Sequence, residues 1–328
     1  MDLIKEIHRY LAAEINDVNT NIVKCLNVEE ELIHTISMHL SNAGGKRIRP
    51  VLTILSARML GYQGKNAIKL ATAVEFIHMA TLLHDDVVDG SKMRRFLPTA
   101  NTIWGSKASI LVGDFLFSQS FKLMVSTHLM PALEVLSSAS NIIAQGEVSQ
   151  LTQLEKKKII SEQEYLKVIN AKTAELFGAA CKVGSIVAEK NNIADKLYSY
   201  GICLGNIFQI SDDLLDYFSQ STEVGKNIGE DFYEGKVTLP IIMLNQVLIH
   251  QDQLKLESLI AATQRTPDDF NWVKSKMLEH NIADSICNYL NGIKLKALEH
   301  LESIDYISDN KAKQHLEKLV DFAVNRTY

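Results

Sequence analysis

Proline and glycine are scarce in this chain, five and sixteen in 328 residues, about half of ordinary usage. Turn-dense β architectures are thereby excluded. Cysteine is equally thin: Cys25, Cys181, Cys203 and Cys287 lie far apart with no CxxC pair, which excludes a disulfide framework and a zinc site and leaves four reduced thiols. There is no excess of positive charge, since 34 Lys and Arg face 39 Asp and Glu for a net charge of -5. A nucleic-acid partner bound through its backbone charge is therefore not expected, and any anionic ligand has to meet a local basic cluster. No apolar run approaches the roughly eighteen residues of a membrane span. The amino terminus, MDLIKEIHRYLAAEINDVN, mixes acids with bases at an amphipathic period and fits neither a signal nor a transit peptide. Together these absences point to a cytoplasmic, reducing location and no transmembrane segment.

What is present is helical. With 46% hydrophobic and 22% charged residues, the composition is that of a globular protein. Ala73, Phe76, Ile77, Ala80 and Leu83 form one apolar face at helical spacing, and Leu166, Ile169, Thr173, Leu176, Phe177 and Ala180 form another. Breaks fall at residues 42–46, 61–65, 96–99, 128–131, 222–236 and 265–267, where Gly, Pro, Asn, Ser or Thr cluster. None is long enough to be an interdomain linker. The expectation is an all-α chain, one domain over residues 1–328 with ten or more helices, in which Pro50 opens a helix.

Two segments carry the same acidic motif, DDxxD: LLHDDVVDG, with Asp85, Asp86 and Asp89, and ISDDLLDYF, with Asp212, Asp213 and Asp216. Positions i and i+4 differ by about 40° around a helix, so the first and last aspartate of each motif share a face. Both motifs sit in strongly apolar stretches, where an uncompensated carboxylate is costly. A solvated acidic face or a helix cap explains one such motif readily and two much less so. Hard divalent ions suit these oxygens, and Mg²⁺ usually combines one or two carboxylates with water and substrate phosphate.

The cations to meet a phosphate are also present. NAGGKRIRP places Lys46, Arg47 and Arg49 at a helix start, where guanidinium forks and backbone N–H groups suit phosphate oxygens. Arg94 and Arg95 follow the first aspartate motif, Lys172 lies in NAKTAEL, and Lys226 and Lys236 lie in GKNIGEDFYEGKVTLP. That last segment, with Gly225, Gly229 and Gly235, reads as a mobile flap.

Taken in order, GGKRIRP, EFIHMATLLHDDVVDG, MRR, PTAN, LVGDFLFS, NAKTAELF, IFQISDDLLDY and GKNIGEDFYEGKVTLP resemble the trans-isoprenyl diphosphate synthases, and among them the long-chain polyprenyl type. Class I terpene cyclases share the aspartate-rich helix, but they typically replace the second DDxxD, which this chain keeps. The resemblance implies a large helical bundle of the isoprenoid synthase type around a central cavity. It also implies a prenyltransferase that condenses isopentenyl diphosphate with an allylic diphosphate such as farnesyl diphosphate. Its product would be of about the octaprenyl length, for a quinone side chain such as that of ubiquinone. A short-chain synthase making geranyl, farnesyl or geranylgeranyl diphosphate, and a non-catalytic regulatory subunit, are the alternatives. A homodimer is implied too, as is contact with a membrane surface on product release.

By the same resemblance, Asp85, Asp89 and Asp212 are Mg²⁺ ligands, three ions serving the site, with Asp86, Asp213 and Asp216 in support. Arg94, Lys172, Thr173 and Lys226 match positions that hold the allylic diphosphate; Lys46, Arg49, His78 and Arg95 match those for isopentenyl diphosphate. Lys236 adds a further cation, and Gln209 matches an amide near the reacting carbons. Six aspartates and three Mg²⁺ cancel, and two diphosphates of about -3 each then face seven Lys and Arg. The common pattern has an acid at Gly90 and a glycine at Phe96, so the aim of Arg94 and Arg95 is left open. Product length is expected to follow from Ile77, Ala80 and Thr81, which lie one and two turns below Asp85. Small residues at 80 and 81 leave room for a descending tail, and the helix of Phe115, Phe117, Phe121 and Met124 would supply a far wall.

Overall fold

The computed structural model describes residues 3–42, 44–218 and 228–327. In chain order they form α1 (Leu3–Tyr10), α2 (Ala12–Leu26), α3 (Glu31–Asn42), α4 (Ile48–Met59) and α5 (Lys65–Val88). A two-stranded ribbon, β1 (Met93–Arg94) and β2 (Leu97–Pro98), precedes α6 (Ala100–Trp104), α7 (Ser106–Val125), α8 (Met130–Lys156) and α9 (Glu162–Ile169). Then come α10 (Glu175–Val187), α11 (Ala194–Phe218), α12 (Glu230–Glu234), α13 (Leu239–Val247), α14 (His250–Ala261), α15 (Pro267–Glu279), α16 (Ile282–Glu302) and α17 (Asn310–Val324). The all-α expectation holds. Helix starts follow local chemistry: Ser161 with Glu164 and Thr266 with Asp269 form reciprocal capping boxes before α9 and α15. Pro50 does not open its helix. It is the third residue of α4, still within the first turn, whose N–H groups have no intrahelical acceptor.

The chain packs as two compact units, residues 1–140, 176–201 and 300–319 in one and residues 141–175, 202–299 and 320–328 in the other. In the first, α5 is the central helix and packs against α2, α4 and α7. Leu70, Val74, Phe76, Ile77, Ala80 and Leu83 are buried around its circumference, as an enclosed helix requires. Close approach depends on glycine at two points. A Cβ at Gly113 of α7 would lie 2.3 Å from His84 of α5, and one at Gly184 of α10 would lie 2.5 Å from Ser56 of α4. By length and composition α7 would suffice to cross a membrane, but it is used as a partner of α5, burying Val112, Leu116 and Met124. Of the expected far wall, Met124 is buried, whereas Phe121 is exposed.

In the second unit an aromatic cluster of Tyr217, Phe232, Tyr233 and Phe270 includes two residues from the end of the segment read as a flap. Residues 219–227, which include Gly225 and Lys226, lie outside the described residues. The rest is the short helix α12, with left-handed Gly229 and Gly235 at its two ends. Phe232 is fully buried, and a Cβ at Gly229 would strike Phe270 at 2.5 Å. This part packs through its buried Phe232. All four cysteines are free thiols, and burial pushes the Cys181 thiol up to about 12.

The amino-terminal helices are tied to α17 by a polar network in the first unit. Tyr10 donates to Asp309, Arg58 pairs with Glu14 at 2.7 Å, and Lys318 reaches Glu6 at 3.1 Å. At its centre His315 is 1% exposed, its ring tilted against that of Tyr10 with centroids 4.8 Å apart, and neither ring nitrogen has a hydrogen-bond partner. Burial lowers its pKa, Glu6 opposes that, and Lys318 and Lys311 add to it. A histidine held below its ordinary value of 6.5 contributes its stability above that pH and loses it as the pH falls through and below it. Thermal unfolding of the wild type should therefore shift to lower temperature between pH 7 and about pH 5, and His315→Leu should flatten that dependence. Identical pH profiles for the two proteins would contradict this origin.

Candidate active site

In the first unit the end of α5 carries the first aspartate motif. Adjacent residues on a helix point about 100° apart, so Asp86 turns inward while Asp85 and Asp89 lie on the half-buried side. Asp86 is 1% exposed and accepts from Arg94 Nε at 3.1 Å and from Nη2 at 2.7 Å. Asn101 holds the helix end by donating to the carbonyls of Asp86 and Ser91 at 3.0 and 3.2 Å, and the Thr99 hydroxyl donates to Ser91 at 2.7 Å. This is the structural work of the PTAN motif.

The loop whose aim was open is a hairpin. Met93 pairs with Pro98 and Arg94 with Leu97, and the two turn residues Arg95 and Phe96 have φ of 50° and 66°. Such a turn favours glycine or asparagine; Phe96 adopts it with its ring exposed. The turn directs Arg94 to Asp86 and brings the Arg95 guanidinium against Gly45, where an added Cβ would lie 3.1 Å from Nη1. Arg49 stacks over Phe177 at 4.6 Å. His78 lies among these cations. Burial first, and then Arg49, Arg94, Arg95 and Arg47, hold its pKa well below the ordinary value, so it is a neutral imidazole at pH 7, able to donate one hydrogen bond. Arg47 turns away to buried Glu75 and to Ser41. Lys46 is exposed beside the Gly pair, and its carbonyl accepts from the His8 ring at 3.1 Å.

Lower on α5, Ile77 and Ala80 are fully buried. Thr81 is half-buried, and its hydroxyl donates to the His78 carbonyl at 2.9 Å.

In the second unit the helical period breaks at a π-turn, Asn170–Ala174, where the Glu175 N–H bonds to the Asn170 carbonyl. Such turns recur at functional sites. This one carries Lys172 and Thr173, and the face read as continuous from Leu166 to Ala180 is interrupted here by the extra residue. Gly146 of α8 allows the approach, since a Cβ there would lie 2.8 Å from Ala171. Lys172 donates to Glu147 and Gln150 at 2.7 and 2.8 Å. Thr173 donates to Gln209 Oε1 at 2.7 Å, and Gln209 Nε2 donates to Asp213 at 2.7 Å.

The second aspartate motif divides as the first does. Asp213 is 4% exposed and also accepts from the Tyr165 hydroxyl at 2.6 Å. Burial and then Asp231 push its pKa up, while the bonds from Tyr165 and Gln209 pull it down. Asp216 accepts the Glu230 and Asp231 N–H groups at 3.1 Å each, a cap on α12. Asp212 is the exposed member, and Arg326 reaches it at 2.8 Å. Lys236 pairs with Glu234 at 2.7 Å.

Several of these partners carry no motif. Tyr165, Glu147, Gln150 and Arg326 stand apart from the acidic and basic runs in sequence, and Arg326 is over a hundred residues from Asp212. Glu75 does leave a signal, a lone acid three residues before His78 in an apolar helix.

Mg²⁺ suits these donors. All are carboxylate oxygens, and one or two from each motif remain on the accessible side. Among the described residues no group of three His, Cys, Asp or Glu could hold a metal by itself; Mg²⁺ ordinarily completes its shell with water and substrate oxygens.

Comparison with known proteins matches residues 30–277 to the polyprenyl synthetase family model. The octaprenyl diphosphate synthase of Haemophilus influenzae is 39% identical over 99% of this chain and 98% of its own length. That of Escherichia coli is 45% identical over 73% and 74%. Among solved structures, a decaprenyl diphosphate synthase from Rhodobacter capsulatus has a TM-score of 0.92 at 40% identity, covering 99% of each chain. A polyprenyl synthase from Caulobacter crescentus, complexed with calcium and isoprenyl diphosphate, has a TM-score of 0.92 at 40% identity, covering 99% of this chain and 98% of its own.

The pairing of Arg94 with Asp86 gives a stability prediction. Arg94→Ala leaves a buried carboxylate unpaired and should cost about 3 kcal/mol in urea unfolding. Asp86→Asn in the same background should restore part of it. A full-stability Arg94→Ala protein would show that the pair carries no structural load.

Proposed function

Because this chain belongs to the polyprenyl synthetase family, we propose that it is a long-chain all-trans polyprenyl diphosphate synthase. It adds isopentenyl diphosphate units to an allylic diphosphate such as farnesyl diphosphate, to about the octaprenyl length. The observation that carries this reading is the gathering of Arg49, Arg94 and Arg95 around neutral His78, in the same unit as the helix that ends in Asp85, Asp86 and Asp89.

Lys46, Arg49, His78 and Arg95 hold isopentenyl diphosphate. Arg94, with Nε and Nη2 on Asp86, offers its Nη1 edge to the allylic diphosphate, which Lys172, Thr173, Lys226 and Lys236 also serve. Asp85, Asp89 and Asp212 hold Mg²⁺, three ions in all, with Asp86, Asp213 and Asp216 in support. When bound, the metal neutralises charge on the departing diphosphate as the allylic C1–O bond ionises. The apolar face of α5 excludes water from the cation that results, and Gln209 lies beside the reacting carbons. Attack by the isopentenyl double bond on the cation, and transfer of one proton to the departed diphosphate, restore an allylic diphosphate, ready for the next round.

The assignment of chain length draws on Ile77, Ala80 and Thr81 below Asp85, of which Ala80 and Thr81 are small where a bulkier residue would stop the tail. α5 is 24 residues long, about 36 Å, the scale of a long polyprenyl chain.

We also assign residues 1–328 to a single catalytic domain that works as a homodimer in the cytoplasm. Exposed apolar side chains on α7, Leu111 at 67% and Val125 at 58%, support a covered face there. Release of so apolar a product calls for contact with a membrane surface, and a quinone such as ubiquinone is its proposed destination.

Purified protein with Mg²⁺, labelled isopentenyl diphosphate and farnesyl diphosphate should yield a product of about the octaprenyl length. EDTA should abolish it. Asp85→Ala and Asp212→Ala should each cut turnover by orders of magnitude while the fold persists. Ala80→Phe should stop extension near the farnesyl or geranylgeranyl stage. A wild-type product of that short size would favour the short-chain alternative, absence of any product would favour a non-catalytic subunit, and an unshortened product from active Ala80→Phe would place the tail elsewhere.

A further inference from the structure

We propose that Tyr165 is a positioning residue for the condensation, acting through Asp213 to fix the amide of Gln209 beside Thr173. The inference rests on the assignment of Gln209 and Thr173 to the reacting allylic substrate.

Three bonds form a chain. The Tyr165 hydroxyl donates to Asp213 Oδ2 at 2.6 Å, Gln209 Nε2 donates to Asp213 Oδ1 at 2.7 Å, and the Thr173 hydroxyl donates to Gln209 Oε1 at 2.7 Å. Both oxygens of Asp213 are taken up as acceptors, Oδ2 by Tyr165 and Oδ1 by Gln209 Nε2, so the amide turns its nitrogen toward Asp213 and its oxygen toward Thr173. The flipped amide would set two acceptors against each other. What keeps the carboxylate itself from rotating is its second oxygen, and that oxygen is held by Tyr165.

Tyr165 is well suited to the task. It is 3% exposed, on a helix whose start is fixed by the Ser161 capping box. A buried phenol has few rotamers, so its hydroxyl is a rigid anchor. Tyr165 precedes the π-turn and Thr173 lies within it, and the two reach residues one turn apart on α11, Asp213 and Gln209. Asp212, the exposed carboxylate of this motif, belongs to none of these three bonds. The three bonds therefore bear on the orientation of Gln209 and Thr173 and leave Asp212, the proposed metal ligand, untouched.

Tyr165→Phe removes one hydroxyl and keeps the ring. Its kcat should fall roughly ten- to hundredfold, the range seen when a supporting hydrogen bond behind a site is lost. The KM for isopentenyl diphosphate and the Mg²⁺ concentration giving half-maximal activity should not change. In the Gln209→Leu background the same substitution should have no further effect, because both act through one amide. Asp213→Asn, which keeps the shape but presents an N–H group, should reproduce the loss and provides the test by a second route. Wild-type kcat in Tyr165→Phe or in Asp213→Asn, or losses that add in the double variant, would overturn the role of Tyr165 while leaving the assignment of Gln209 intact. A Gln209→Leu protein with wild-type kcat would remove that assignment, and this inference with it.

Discussion

A carboxylate enclosed by apolar helices must have donors, and this requirement governs the arrangement of the chain around both aspartate motifs. Asp86 takes the Arg94 fork, and Asp213 takes a phenol and an amide. In each motif it is the second aspartate that is enclosed, because adjacent residues on a helix point about 100° apart, whereas first and fifth positions differ by only about 40°. One turn of helix thus supplies both an inward clamp and an outward carboxylate. Breaking a clamp leaves a charge without compensation, which makes the outward face depend on the inward one.

The same principle explains the segments that depart from regular helix. The hairpin at 93–98 accepts left-handed Arg95 and Phe96, an unusual pair for such a turn, and in return sends adjacent arginines to different places. The π-turn at Asn170–Ala174 interrupts an otherwise regular stretch and carries Lys172 to Glu147 and Gln150, and Thr173 to Gln209. Irregular backbone is thus found where the side chains have the most specific tasks.

Much of this was legible in the sequence. Apolar periodicity gave the all-α class, and the i, i+4 spacing put Asp85 with Asp89 on one face. The Gly pair marked the place where Arg95 now lies against Gly45. Other features left no local trace. Nothing in the run Leu166 to Ala180 signals one extra residue in the turn, and the Gly146 that lies against it belongs to another helix. Tyr165 reads as one more core aromatic until its hydroxyl is seen to face Asp213, and Arg326 meets Asp212 only through the tertiary fold. Pro50 is two positions off its expected place because the first turn tolerates proline at more than one site. The flap reading overlooked Phe232, a large apolar residue between two glycines that is buried on α12.

The central claim is that these carboxylates, paired as they are with the chain's own donors, take up Mg²⁺ together with a diphosphate and not before it. Calorimetric titration of Mg²⁺ into the protein, with and without inorganic diphosphate, tests it directly. Tight binding only in the presence of diphosphate, reduced in Asp85→Ala and in Asp212→Ala, is the predicted result. Equally tight binding of Mg²⁺ to the protein alone would contradict it.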